Sequence, residues 1–101
     1  MWAQLIKMRL KHGRDTIEVN KQLRSAEQPG SGLVRTLMMA DQKDPLQVYA
    51  VVVFESEEKA RAREQDPRRQ ERLQPVREAM ADVLDGPLEF IDLTVIEEWT
   101  G

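Results

Sequence analysis

Hydrophobic and polar residues alternate in some segments of the chain and follow a helical period in others. Residues 2–10 alternate, which predicts a first β-strand. After Lys-His-Gly at 11–13, apolar side chains recur in three- and four-residue steps between Thr16 and Ala26, which predicts a helix over residues 14–27. Residues 33–40 and 46–54 are predicted strands, and the polar segment 41–45 is predicted to be the hairpin loop between them.

The second half of the chain is predicted to hold two helices and a last strand. Ser56 and the two glutamates after it favour a helix start, and we expect this helix to end near residue 66. Pro67 favours the first turn of another helix, over residues 67–84, with a kink or a break at Pro75. The turn-forming Asp-Gly-Pro at 85–87 ends that helix, and residues 88–98 are predicted to form the last strand.

The predicted order of elements, β-α-β-β-α-β, is that of the ferredoxin-like unit. It indicates an α+β fold with an antiparallel sheet, in which strands one and three are central and the helices lie on one face. We expect residues 1–101 to form one domain of this kind.

The third and fourth strands carry apolar side chains on both faces, and residues 48–54 are an unbroken apolar, β-favouring run. Because right-handed crossovers put both helices on the same face, the other face has no cover within the chain. Each Val, Ile, Leu or Phe side chain left in water forgoes roughly 1.5–3 kcal/mol. We therefore predict a homodimer in which two sheets pack face to face as a dimeric α+β barrel.

The composition of the chain argues against several kinds of partner and catalytic site. The formal net charge of -3 does not supply the positive field that attracts nucleic acid, so we expect no nucleic-acid partner. The chain has no cysteine and one histidine, which argues against a thiol nucleophile, an iron–sulfur cluster or a metal site. The N-terminal residues resemble neither a signal peptide nor a transmembrane helix, so the expected location is cytoplasmic, without membrane association.

Three segments carry a family resemblance: Lys-His-Gly-Arg at 11–14 after the first strand, Gly-Ser-Gly-Leu-Val at 30–34, and Val-Val-Phe-Glu-Ser-Glu-Glu-Lys-Ala at 52–60. In these the chain resembles the dimeric α+β barrel proteins grouped around the antibiotic-biosynthesis monooxygenases. The resemblance implies a pocket between sheet and helices. It also implies a monooxygenase that uses no cofactor, neither metal nor flavin, and acts on a small aromatic or polyketide-like substrate.

The alternative is a non-catalytic homodimer that binds a small apolar ligand or serves a structural role, since one fold hosts many functions. At this point the sequence leaves open whether the chain is an enzyme. The haem-degrading branch of the family uses an asparagine on strand one and a histidine and a tryptophan in the later helical region. Residues 2–10 contain no asparagine and residues 56–84 contain neither histidine nor tryptophan, so haem degradation is not predicted. Where many members carry a histidine after strand three, this chain has Arg63 or Glu64.

Three residues are candidates for catalysis, which would need a base or an anchor for a substrate anion in an apolar pocket. His12 is the only imidazole, although a histidine in a turn is usually solvated. Tyr49 and Arg35 are polar residues on otherwise apolar strands. The alternatives are a core aromatic for Tyr49 and a surface side chain or dimer ion pair for Arg35.

Four more residues are candidates for ligand contact. Gln4 and Asp92 interrupt apolar strands, and Met8 and Trp2 could line the pocket; the alternatives are interface hydrogen bonds for the first two and packing for the others. The charged segment from residue 57 to residue 78 carries seven basic and six acidic side chains, with acid–base pairs spaced four apart. We interpret it as a solvated helix face.

Overall fold

The computed structural model describes residues 1–101. Its elements are β1 (Trp2–Arg9), α1 (Ile17–Ala26), β2 (Leu33–Ala40), β3 (Gln47–Phe54), α2 (Glu57–Glu64), α3 (Pro67–Val83) and β4 (Glu89–Thr94). The strands form one antiparallel sheet in the order β2-β3-β1-β4. The predicted ferredoxin-like order, with the first and third strands in the centre, is therefore confirmed.

Side-chain caps explain where the helices begin. The Ser56 side chain accepts a hydrogen bond from the backbone N–H of Lys59 at 3.2 Å, and the Asp66 side chain accepts one from that of Arg68 at 2.9 Å. Each cap satisfies an amide that has no partner within its helix. The prediction that α1 begins at residue 14 was wrong, because the helix begins at Ile17, whose N–H donates to the Asp15 carboxylate at 3.0 Å.

Of the kink or break predicted at Pro75, the break does not occur. The helix α3 continues through this exposed proline, and solvent can reach the carbonyl whose partner the proline removes. One other boundary differs from the prediction. The last strand ends at Thr94, short of residue 98, because Thr94 pairs with Trp2 at the start of β1. Beyond that pair, the only ladder-like bond is from Val95 N to Met1 O, at 3.3 Å.

One face of the sheet packs against all three helices, in two separate hydrophobic clusters. The larger cluster joins the ends of α1 and α3 to the sheet near residue 8; its buried members are Met8, Leu10, Val19, Val48, Ala50 and Val83. The smaller cluster, under α2, consists of Trp2, Phe54 and Ala60. The middle of the same sheet face, around residues 4–6 of β1, lies between the two clusters and is not filled by side chains of the chain.

The other sheet face is apolar and uncovered, as predicted. The register places Leu37, Val51, Leu5 and Ile91 in one row across the four strands. We call these four residues the sheet-face row. Beside the row, Met39 and Leu93 are 44% and 41% exposed. None of the helices is both long enough and apolar enough to cross a membrane.

Candidate functional site

A cavity of about 740 Å³ separates the two hydrophobic clusters and lies between the sheet and the helices. Small-molecule sites typically measure about 300–1,000 Å³, so this volume suits a small organic ligand. Its walls are mainly apolar. The sheet contributes Ile6, Met8, Met38 and Val52, the helices contribute Leu23, Leu73, Val76 and Met80, and the segment leading into β4 contributes Leu88.

Gln4 places an amide in the centre of the sheet wall. Its Nε2 donates to Oδ1 of Asp92 on the neighbouring strand at 3.0 Å, and Oδ2 of the same carboxylate accepts from Arg61 Nη2 at 3.0 Å. The hydrogen bond from Gln4, followed by that from Arg61, lowers the pKa of Asp92. Because a carboxylate only accepts, the Gln4 nitrogen must face it, which leaves the Gln4 oxygen available to a ligand.

Glu27 and Arg63 form a clamp at the end of the cavity near α2. The guanidinium donates through Nε at 3.0 Å and through Nη2 at 2.6 Å, and the two side chains are only 22% and 14% exposed. Burial opposes ionisation of Glu27, but hydrogen bonds from Arg63 and Ser31 outweigh it, so the pKa of Glu27 lies below its ordinary value. The charge of Arg63 is thereby neutralised within the chain.

Arg69 lies beside this clamp and has no such partner. No carboxylate lies within ion-pair distance of its guanidinium, and its Nε is buried without a hydrogen bond. Burial, and next the positive charge of Arg63, lower the pKa of Arg69. On the facing helix, Asn20 donates through Nδ2 to Thr16 Oγ1 at 3.1 Å, and its Oδ1 has no partner. Glu27 and Glu64 act in the opposite sense but lie beyond ion-pair distance. The helix wall thus contains a cation without an ion pair and an unpartnered amide oxygen.

Comparison with known proteins finds likeness only in structure: no family model and no curated protein sequence matches the chain. A candidate antibiotic biosynthesis monooxygenase from Chloroflexus aurantiacus is 21% identical, with a TM-score of 0.68 over 99% of this chain and 98% of that one. A mutant of SnoaB, a cofactor-independent oxygenase from Streptomyces nogalater, is 13% identical, with a TM-score of 0.68 over 96% of this chain and 94% of that one. Rv0793 from Mycobacterium tuberculosis is 9% identical, with a TM-score of 0.70 over 98% of each chain.

This chain has the antibiotic biosynthesis monooxygenase fold. The resemblance inferred from residues 11–14, 30–34 and 52–60 is confirmed at the level of the fold. The cavity lies between the sheet and the helices, which is where the resemblance implied a pocket.

Four of the seven site residues predicted from the sequence line the cavity of this monooxygenase-like fold. Trp2 and Met8 lie at its two ends, where each also belongs to a hydrophobic cluster, and Gln4 lies between them. Arg35 lines the cavity from the edge strand β2, although its register with Val53 places it on the sheet face away from the helices. Contact of these residues with a ligand stays a prediction.

The other three predicted residues lie outside the cavity. Asp92 acts on it indirectly, through its hydrogen bond to Gln4. His12 is exposed in the turn after β1. Tyr49 pairs with Lys7 on the uncovered side, since it alternates with neighbours that face the helices. The structure does not bring His12, Tyr49 and Arg35 together, and their catalytic role stays a prediction.

Sequence reasoning missed the polar residues on the helix wall. The arginines of α2 and α3 were interpreted as part of a solvated helix face. One signal could have found them. The apolar stripe of α3 through Leu73 and Val76, extended one turn toward the N-terminus, reaches Arg69. A charged residue that continues a buried stripe indicates a polar group facing the interior.

Proposed function

We propose that this chain is a monooxygenase that requires neither metal nor flavin and acts on a small aromatic or polyketide-like substrate. The observation that carries the proposal is the cavity of about 740 Å³, with mainly apolar walls and a few fixed polar groups. The fold is shared with a cofactor-independent oxygenase, which supports the same chemistry here. An apolar cavity also limits water, which strengthens every charge interaction within it.

The proposed reaction uses a CH2 group that neighbouring carbonyl or aromatic groups make acidic. Loss of a proton gives a carbanion, which transfers electrons to O2 as a C–O bond forms. The resulting peroxide takes up a proton and loses water, which leaves a carbonyl group. One oxygen atom therefore enters the product, the other leaves as water, and the substrate supplies all the electrons.

The residues of the cavity suit the anionic stages of this reaction. The uncompensated charge of Arg69 favours the deprotonated form of a bound enol, phenol or activated CH2 group. The free oxygen of Gln4 can accept a hydrogen bond from a substrate hydroxyl and so orient the ring system. Asp92 and Arg61 act through Gln4 as positioning residues.

We further propose that a second copy of the chain covers the sheet-face row. In the single chain Leu37 of that row is 46% exposed, and Met39 beside it is 44% exposed. Burying each such side chain is worth roughly 1.5–3 kcal/mol, and twofold pairing of like surfaces is the commonest way to do so. The chain is then a homodimer whose two cavities lie on the outer sides of the paired sheets.

Oxygen uptake with an anthrone tests the proposed activity. An anthrone is a tricyclic substrate whose central CH2 lies between two aromatic rings. The protein is first treated with a chelator to remove metal, and the O2 is isotopically labelled. We expect faster oxygen uptake than without protein, and one labelled oxygen atom in the quinone product. A Met38→Trp variant, which fills the cavity from β2, should lose this acceleration, whereas Arg68→Gln, outside the cavity, should keep it. Anthrone binding without acceleration would instead identify the non-catalytic alternative and refute the proposed activity.

A further inference from the structure

The charges on the helix wall of the cavity do not balance, although the whole chain has a net charge of -3. Four arginines and two glutamates of the helices and their ends line the cavity: Arg24, Arg63, Arg69, Arg77, Glu27 and Glu64. Glu27 forms an ion pair with Arg63. Glu64 forms one, at 3.4 Å, with Arg61, which does not line the cavity. Arg24, Arg69 and Arg77 therefore line the cavity without a carboxylate within ion-pair distance.

These three arginines extend along the two facing helices. Arg69 and Arg77 are eight residues apart on α3, which is about 12 Å along the helix axis. The bond from Arg72 Nη1 to the Ser25 carbonyl, 3.1 Å long, holds α1 against this part of α3 and so brings Arg24 to the same region. Arg77 has only a neutral partner, Gln70 Oε1 at 3.4 Å. We call Arg24, Arg69 and Arg77 the arginine belt.

Arg24 and Arg77 are exposed, whereas Arg69 differs from an ordinary solvated side chain. Arg69 is half-buried and its Nε lacks a partner. Burial and the charge of Arg63 lower its pKa, and the opposing effect of Glu27 and Glu64, neither of which lies within ion-pair distance, is smaller. Taking a cation out of water without an opposite charge is unfavourable. An anion bound in the cavity would supply the missing charge, and a guanidinium can hold a carboxylate through two parallel hydrogen bonds.

We propose that the cavity selects anionic ligands, so that the substrate is an aromatic or polyketide-like acid whose carboxylate binds Arg69. The assignment rests on the proposed function for the location of the site, and it adds the chemical class of the ligand. The apolar walls hold the ring system, the arginine belt holds the acidic group, and the Gln4 oxygen accepts from a hydroxyl. A neutral ring system of the same shape binds more weakly, because the guanidinium of Arg69 then remains without an ion pair.

Two fluorescent probes that differ only in charge test this selectivity. They are 1-anilinonaphthalene-8-sulfonate and N-phenyl-1-naphthylamine, which have the same ring skeleton with and without an acidic group. We expect the wild-type protein to bind the sulfonate about tenfold more tightly or better, as a charge-assisted hydrogen bond implies. Arg69→Gln should remove most of this difference and leave the affinity for the neutral probe unchanged.

Control variants distinguish a specific anion site from nonspecific binding of the probes to apolar surface. Arg68→Gln removes the neighbouring arginine of the same helix, which is exposed, pairs with Asp66 and does not line the cavity, so it should bind both probes as the wild type does. Met38→Trp should weaken both probes, which places them in the cavity and not on the sheet-face row. Circular dichroism and thermal melts would establish that each variant is folded.

Each outcome decides between the two proposals. Equal affinity of the wild type for both probes, or equal losses in the Arg69 and Arg68 variants, would overturn the anion selectivity while leaving the proposed cavity in place. Binding of neither probe would refute the ligand cavity itself, and the selectivity with it. Selective sulfonate binding together with no oxygen uptake on any activated CH2 substrate would refute the oxygenase and retain the anion site.

Discussion

Replacing Glu27 with Gln tests whether the clamp at the end of the cavity holds the helices in place. Glu27 follows α1, and Arg63 is on α2, so their hydrogen bonds join two elements that few other contacts connect. Exposed ion pairs contribute about 0.2–1 kcal/mol, whereas removing one partner of a buried pair costs about 3–5 kcal/mol. At 22% and 14% exposure this pair lies between those limits.

We therefore expect Glu27→Gln to lower the free energy of unfolding by about 2 kcal/mol, because a glutamine keeps one acceptor but no charge. In a domain of this size the unfolding temperature should fall by about 10 °C. Urea denaturation at pH 7 and at one protein concentration measures the change. Glu55→Gln is the matched control: it removes an exposed carboxylate that pairs with Lys59, and it should cost no more than about 0.5 kcal/mol.

The pH dependence of that difference follows from the pKa of Glu27. Arg63 and Ser31 keep this pKa below its ordinary value of 4.5 despite burial. A carboxyl group with a lowered pKa in the folded state stabilises the protein above the unfolded-state pKa, and the stabilisation disappears as pH falls through the folded-state pKa. The gap between wild type and Glu27→Gln should be full at pH 7 and shrink below about pH 4. A gap that is absent at pH 7, or that widens in acid, would refute the reasoning.

Three further predictions concern the backbone and the sheet face. Gly32→Ala should destabilise the chain by at least about 1 kcal/mol more than Gly30→Ala in urea denaturation, because both glycines have positive φ but only at Gly32 would a Cβ lie 2.7 Å from a side chain of α2. Pro75→Ala should raise the free energy of unfolding by about 1–3 kcal/mol, since α3 regains a backbone N–H; no gain would count against a proline penalty. Val51→Lys, at the centre of the sheet-face row, should sediment as a monomer, and an unchanged dimer would reject that interface.

The strands and helices were predictable because their signals are local. Alternation marks β1, an unbroken apolar run marks β3, a serine before two glutamates marks α2, and a proline marks the start of α3. The errors arose where contacts between residues distant in sequence determine whether an element ends or continues. Nothing local stops β4 at Thr94, since the limit is the end of its partner strand. Pro75 stays helical because its exposed side tolerates a lost hydrogen bond.

The candidate site was less predictable than the fold. Gln4 was identifiable from sequence because a polar side chain on a central apolar strand needs a hydrogen-bonding partner, which proves to be the exposed Asp92. His12 and Tyr49 were chosen for the chemistry of their side chains, which says nothing about the direction in which they point. Arg68 and Arg69 look alike in sequence, yet Arg68 pairs with Asp66 at 2.8 Å and Arg69 has no acidic partner. Only the packing of α3 against the cavity separates them.

The cavity and the uncovered sheet face together limit the stability of the isolated chain. Only 13 of 101 residues are buried, and nine of these form the two clusters, of six and three residues, with the cavity between them. A ligand that fills the cavity, or a second chain that covers the sheet-face row, binds the folded state and not the unfolded one. Such binding adds RT ln(1 + [L]/Kd), or about 2.7 kcal/mol at a hundredfold excess over Kd. A bound ligand and a second chain would therefore stabilise the fold for the same reason, since each would cover apolar surface that the chain cannot cover by itself.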